Sequence, residues 1–157
     1  MDKPAPTIKG RKVAILLADG VDTAQVQGML ESLVGHELVV ETIGPRAGAV
    51  AASEGPLMVN RAAPNAPSVI YDAVAVPAGV AKALAAMPVA RRFINEAFRH
   101  GKPIAVAVYG ESLLHASGVP ADAEGIVIGQ AGALVDELTA ALGLHRFPRR
   151  VSLLTPV

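Results

Sequence analysis

Gly101-Lys-Pro-Ile-Ala-Val-Ala-Val-Tyr-Gly-Glu-Ser-Leu-Leu114 reads as a strand, a tight turn and the opening of a helix. Ile104 to Val108 is an unbroken apolar run of strand length, of the kind buried on both faces of a parallel sheet. Tyr109-Gly110 turns the chain, and Glu111-Ser112 starts a helix that carries Leu113 and Leu114. Enzymes of α/β architecture often set a nucleophile at such a junction, because the turn lifts one side chain out at the carboxyl end of the sheet. Here the apex positions are Val108 and Tyr109, and valine has no nucleophilic atom. The segment has the form of a catalytic elbow without an evident reacting group.

The same alternation extends in both directions. Lys12 to Ala18 is a nearly continuous apolar run, and Glu37 to Ile43, Tyr71 to Pro77 and Gly125 to Ile128 read as further strands. Asp22 or Thr23 caps a helix whose apolar positions Val26, Met29, Leu30 and Leu33 keep the helical period, with Gly35 as its stop. Ala78-Gly79 leads into a short helix through Ala86. Pro88 suits the first turn of the next helix, which turns Val89, Phe93, Ile94, Ala97 and Phe98 inward and stops at Gly101. Gly132 to Leu142 is amphipathic, with Leu134, Val135, Leu138, Ala141 and Leu142 inward. Residues 46–67, rich in Gly, Ala and Pro, read as loops with short strands near Ala49–Ala51 and Leu57–Val59. The pattern predicts a three-layer α/β domain, a mostly parallel sheet with helices on both faces joined by right-handed crossovers. Residues 1–10 read as a linker or tail, and residues 11–157 as a single domain.

Composition excludes several function classes. Fourteen basic residues balance fourteen acidic ones, so no net field draws nucleic acid or an anionic membrane. The chain has no cysteine, which removes disulfides, thiolate catalysis and thiolate metal sites together. No apolar run approaches the ~18 residues of a membrane span. The absence of a secretory leader pattern favours a cytoplasmic location.

The remaining chemical candidates are few. The backbone N–H groups of Gly79 and Val108 are placed to form an anion hollow at the elbow. Ser112 and His115 lie three apart on one helix, but GxSxG is absent and Ser112 reads as a first-turn residue. His36, His100, His115 and His145 show no metal-ligand spacing; the first two sit beside helix-ending glycines, where an imidazole suits the helix dipole. No phosphate-binding glycine motif follows a strand. The end of the chain carries basic Arg146, Arg149 and Arg150, then the apolar segment Val151 to Val157.

Gly10-Arg-Lys-Val-Ala-Ile-Leu-Leu-Ala-Asp-Gly20, Tyr71-Asp-Ala-Val-Ala-Val-Pro77 and Gly101-Lys-Pro-Ile-Ala105 resemble the PfpI-type, class I glutamine-amidotransferase-like superfamily. More narrowly, four segments are similar to the C-terminal domain of large-subunit monofunctional haem catalases. They are Thr7 to Val13, Ala66 to Ala73, the Phe93–Lys102 helix, and the run from Val135 through His145-Arg-Phe147. The resemblance implies a flavodoxin-like fold. Active PfpI-type enzymes carry cysteine, histidine and glycine at the elbow, where this chain has Val108, Tyr109 and Gly110. They carry an acid on the first helix, where this chain has neutral Gln25. The resemblance thus implies vestigial elbow positions and no catalytic or metal-binding residue. It implies no cofactor in this chain, with haem expected in a separate catalase body. It also implies a non-catalytic role in stability and oligomer assembly, with the catalase core, a homo-oligomer and unfolded client proteins as partners, the last in a chaperone-like capacity. Two alternatives stay open: a hydrolase or deglycase working through Tyr109, Glu111 or Ser112, and a small anion-binding module.

Overall fold

A computed structural model of the chain describes residues 8–143. The seven residues before Ile8 and the expectations for His145, the arginine cluster and Val151–Val157 lie outside the described residues.

Six strands form one sheet in which every pairing is parallel. They are β1 (Lys12–Leu16), β2 (Val39–Gly44), β5 (Arg61–Ala62), β6 (Ala73–Val76), β7 (Ile104–Ala107) and β8 (Ile126–Gly129). Their order is β5-β2-β1-β6-β7-β8. The chain therefore builds outward from β1 in one direction, then returns and builds outward in the other. That reversal is the topological switch point of a doubly wound fold. A separate antiparallel hairpin, β3 (Gly48–Ala52) with β4 (Gly55–Val59), lies between β2 and β5 in sequence.

Helix α1 (Thr23–Gly35) packs against α5 (Ala131–Leu142), while α2 (Ala81–Ala85), α3 (Pro88–Arg99) and α4 (Glu111–Ala116) pack on one another. β6 and β7 are buried at every position, as a sheet covered on both faces requires. The inward positions of the helices follow the sequence period. Val26, Met29 and Leu33 are buried on α1, Phe93, Ile94, Ala97 and Phe98 on α3, and Leu134, Val135, Leu138 and Leu142 on α5. Leu30 and Val89 are only partly covered. Among the described residues no helix is long and apolar enough to cross a membrane.

Three helices end in the same way. In α1, α3 and α4 the residue after the cap lies in the left-handed region: Glu37 (φ 61°), Gly101 (φ 73°) and Gly118 (φ 74°). Each of these residues donates its N–H to the carbonyl three back. The next N–H reaches five back, as in Leu38 to Leu33 at 3.3 Å, Lys102 to Ala97 at 3.0 Å and Val119 to Leu114 at 2.9 Å. His36 and His100 occupy the cap positions of α1 and α3. The expected strand from Glu37 is corrected here. Glu37 belongs to the helix stop, so β2 begins two residues later, and Gly35 is still helical. The two-residue β5 was not expected, nor was the pairing of the two short strands with each other.

One polar cluster sits on the sheet beneath α3. Glu41, largely buried, receives Lys12 Nζ at 3.0 Å on Oε1 and Arg61 Nε at 3.0 Å on Oε2. Lys12 Nζ also lies 5.7 Å from the centre of the Tyr71 ring, which tilts against Phe93 at 5.9 Å. Burial works to raise the Glu41 pKa. The hydrogen bonds and charges of Lys12 and Arg61 together outweigh it, and hold the carboxyl below its ordinary value. The Tyr71 hydroxyl is buried near Glu41, outside good hydrogen-bonding geometry. Burial, reinforced by the Glu41 charge, pushes its pKa up to about 12.

Candidate functional site

The loops after β1, β6 and β7 meet at the carboxyl edge of the sheet, beside the switch point, where ligands of doubly wound folds bind. On the β1 side the edge is tied to the β3–β4 hairpin. Gly20 N–H donates to the Ala51 carbonyl at 2.8 Å, Ala51 N–H to Asp19 Oδ1 at 2.9 Å, and Thr23 N–H to Ser53 Oγ at 3.0 Å. The Ala51 hydrogen bond, helped by Arg46 at 3.6 Å and opposed by desolvation, lowers the Asp19 pKa. Gly79 (φ 90°) closes on the same loop; a Cβ there would stand 3.2 Å from the Gly20 carbonyl oxygen. The crevice at the switch point is thus narrowed by the chain's own backbone.

The elbow is a β-turn over Ala107–Gly110, closed by Gly110 N–H to the Ala107 carbonyl at 3.0 Å. Its third residue, Tyr109, has φ 71°, a conformation that normally calls for glycine or asparagine. The structure thereby divides the two apex positions. Tyr109 is the raised residue, 88 % exposed, while Val108 is half-buried below it. Gly110 is obligatory: a Cβ there would lie 2.1 Å from Val106 Cγ1 and 2.8 Å from the Ala107 carbonyl oxygen.

A hollow of about 260 Å³ opens between this turn and the β6–α2 loop, walled by Pro77, Gly79, Lys82, Val108 and Tyr109 among others. It brings Gly79 and Val108 together, as expected. The expected use of the Val108 amide needs correction, because Val108 N–H donates to the Gly129 carbonyl of β8 at 3.0 Å. An edge amide that continues a sheet ladder cannot also face an anion. Gln25 is not part of this wall; it sits partly buried on α1, its N–H bonded to the Asp22 cap at 3.2 Å. Ser112 and His115 are both exposed on α4, and no hydrogen bond joins them. Among the described residues no three His, Asp or Glu gather as a metal site.

A larger hollow, about 370 Å³, was not anticipated. It lies between residues 63–68 and α3, with Asn65, Ser68, Arg92 and Glu96 as its polar groups. The only sequence signal for it is Arg92 and Glu96, spaced i, i+4 on one helix face above a proline-rich loop.

A bulky residue held at positive φ with no closed pocket around it costs stability and does no positioning. Tyr109→Gly is therefore expected to raise stability by about 1 kcal/mol, or a few degrees in Tm for a chain of this size. Thermal unfolding followed by circular dichroism measures this. A clear fall in Tm would show that the tyrosine makes contacts that outweigh its backbone strain.

Comparison with known proteins places the chain in a family. The family described as the C-terminal domain found in long catalases matches residues 9–152. A "Catalase HPII" of Pseudomonas putida is 34 % identical over 142 residues, covering 88 % of this chain and 19 % of that protein. A "Catalase HPII" of Mycobacterium avium is 34 % identical over 159 residues, covering 89 % of this chain and 22 % of that protein. The chain thus spans about a fifth of the length of these relatives. A two-domain protein of Anabaena variabilis with DJ-1/ThiJ/PfpI-like and ferritin-like domains superposes with a TM-score of 0.74 at 19 % identity. It covers 85 % of this chain and 48 % of its own, and shows the flavodoxin-like, PfpI-like fold. The chain belongs to the family of C-terminal domains found in long catalases.

Proposed function

We propose that this domain is a non-catalytic accessory part of a long, haem-dependent catalase, and that it supports the stability and assembly of the polypeptide that carries it. The observation behind this reading is the elbow. Its raised residue is an exposed tyrosine, the residue below it is a valine whose amide continues the sheet, and Gln25, which the resemblance matches to the assisting acid, lies outside the hollow. Nucleophilic catalysis needs a nucleophile, a base within hydrogen-bond reach and an oxyanion donor, and the three are not assembled here.

Neither of the two hollows described above suits a haem. The larger hollow offers no His, Cys, Met or Tyr as an axial ligand. The smaller one offers only Tyr109, which stands in solvent rather than in the enclosed apolar pocket a haem requires. On this reading the haem and the peroxide chemistry belong to the catalase body outside this chain, and that body is the domain's partner.

The test is turnover by the purified 157-residue chain. No peroxide dismutation, peptide cleavage or deglycation above the buffer rate is expected. Turnover that disappears with Tyr109→Phe or Ser112→Ala would overturn the proposal and place an unconventional nucleophile at the elbow.

A further inference from the structure

The larger hollow, between residues 63–68 and α3, presents two opposite charges that no ion pair neutralises among the described residues. Arg92 and Glu96 stand one turn apart on α3, the spacing at which such groups usually pair. Here they do not pair, and the Arg92 side chain has neither a hydrogen bond nor an ion pair among the described residues. Glu96 is half-buried, and its carboxylate accepts from Ser68 Oγ at 3.3 Å. That is long for a hydroxyl donor, and a carboxylate has room for about four hydrogens. Ser68 is only 2 % exposed, so an interior hydroxyl is brought to the wall of the hollow. Asn65, on the same wall, has no hydrogen-bond partner for its side-chain amide among the described residues.

The wall that carries Asn65 and Ser68 is held at both ends and in the middle. Arg61 and Tyr71 bracket it and meet at Glu41, the first bonded at 3.0 Å and the second buried beside it. Between them Lys102 Nζ holds the Ser68 and Val69 carbonyls at 2.8 and 2.9 Å. Pro64 and Pro67 fix two backbone angles, and the segment closes into the 3₁₀ turns Ala63–Asn65 and Ser68–Ile70. The opposite wall is the regular helix α3. A site with fixed walls loses little freedom when a ligand enters.

The charges select the ligand. A simple anion would be repelled by Glu96 and a simple cation by Arg92. A molecule that carries both charges satisfies both side chains. With their Cβ atoms about 6 Å apart, the two heads can converge on charges that lie side by side in a small zwitterion. The Arg92 guanidinium takes a carboxylate through paired N–H donors. An ammonium has three hydrogens, for which Glu96, Ser68 Oγ and Asn65 Oδ1 are acceptors. Val89, Phe93 and the two prolines leave an apolar lining for a side chain. The volume, about 370 Å³, is at the small end for ligand pockets. We propose that this hollow binds a free α-amino acid with an apolar side chain, its carboxylate on Arg92 and its ammonium on Glu96. The site is separate from the elbow and does not rest on the accessory reading above.

L-Leucine, isocaproate and isoamylamine share one side chain and carry both charges, the carboxylate alone and the ammonium alone. Each is titrated into the isotopically labelled 157-residue chain, and Kd is taken from the amide shifts in nuclear magnetic resonance spectra. L-Leucine is expected to bind with a Kd of about 1 mM, as suits a small open site, and to shift Asn65, Ser68 and Glu96 rather than Tyr109 at the elbow. Both analogues are expected to bind at least about tenfold more weakly, because each leaves one charged side chain unmatched. Arg92→Gln should weaken L-leucine at least about tenfold and leave isoamylamine unchanged, whereas Glu96→Gln should weaken L-leucine and leave isocaproate no weaker. Circular dichroism melts check that both variants fold, and the three-ligand comparison on the unsubstituted chain stands without them. No shift with L-leucine at tens of millimolar would overturn the proposal. So would an analogue that binds as tightly as L-leucine, shifts centred on the elbow, or an L-leucine Kd unmoved by both substitutions. None of these outcomes touches the accessory reading, which stands or falls on turnover.

Discussion

Gly110→Ala is expected to cost about 3 kcal/mol or more, lowering Tm by roughly 10 °C. The added Cβ would stand 2.1 Å from Val106 Cγ1 and 2.8 Å from the Ala107 carbonyl oxygen. Neither neighbour can give way cheaply. Val106 is fully buried in the central part of the sheet and paired with Val76 and Ile128 on its two sides. The Ala107 carbonyl is the acceptor that closes the turn. Relief would require moving β7 relative to its neighbours, and packed interiors resist such shifts. Urea unfolding of the variant, with Tyr109→Gly alongside, separates the two glycine demands of this turn. Gly110 answers to space, whereas position 109 answers to backbone conformation alone. Near-native stability of Gly110→Ala would show that the turn is looser than its contacts indicate.

The second large effect is expected at Glu41. Glu41→Gln keeps the shape but leaves Lys12 and Arg61 facing a neutral amide beside Tyr71. A loss of about 2 kcal/mol is expected at neutral pH, less than for a fully buried pair because both cations are partly exposed. The pH dependence has a definite sign. The folded pKa of Glu41 is lowered from its ordinary value of 4.5. Its stabilisation is therefore complete above that value and is lost as the pH falls through the folded pKa. Asp19, lowered by the Ala51 N–H, shifts the balance in the same direction. The gap in unfolding free energy between wild type and Glu41→Gln should stay constant at neutral pH and close at acid pH. A gap that persists unchanged below the folded pKa would mean that shape, not charge, makes the difference. Tyr71→Phe serves as the control, since it removes a buried hydroxyl that has no well-formed partner and should be close to neutral.

The parts of this protein legible in the sequence were those set by neighbours along the chain. Ile104 to Val108, Lys12 to Ala18 and Tyr71 to Pro77 announced buried strands because each is mostly apolar, and each holds a strand one to three residues shorter. The helix on Pro88 could be read together with its inner face, since Phe93, Ile94, Ala97 and Phe98 repeat at the helical period. Stops were harder. Gly101 marked the end of α3 correctly, whereas α1 uses Glu37 in the same left-handed role, and a glutamate gives no signal for it. At the elbow the sequence showed that the usual chemistry was missing. It could not show which of Val108 and Tyr109 is raised, nor that the Val108 amide is taken by β8, because that depends on the register between Ala107 and Gly129.

From the sequence alone came the α/β layering, the empty elbow and the kinship to catalase C-terminal domains, because local periodicity and residue identity carry that information. Only the tertiary structure gathered Lys12, Glu41, Arg61 and Tyr71 around one carboxylate, turned Lys102 inward to hold a distant loop, and set Asn65 and Ser68 across a hollow from Arg92 and Glu96. These groups are far apart in sequence. They meet only because parallel strands in the order β5-β2-β1-β6-β7-β8 bring their amino ends side by side.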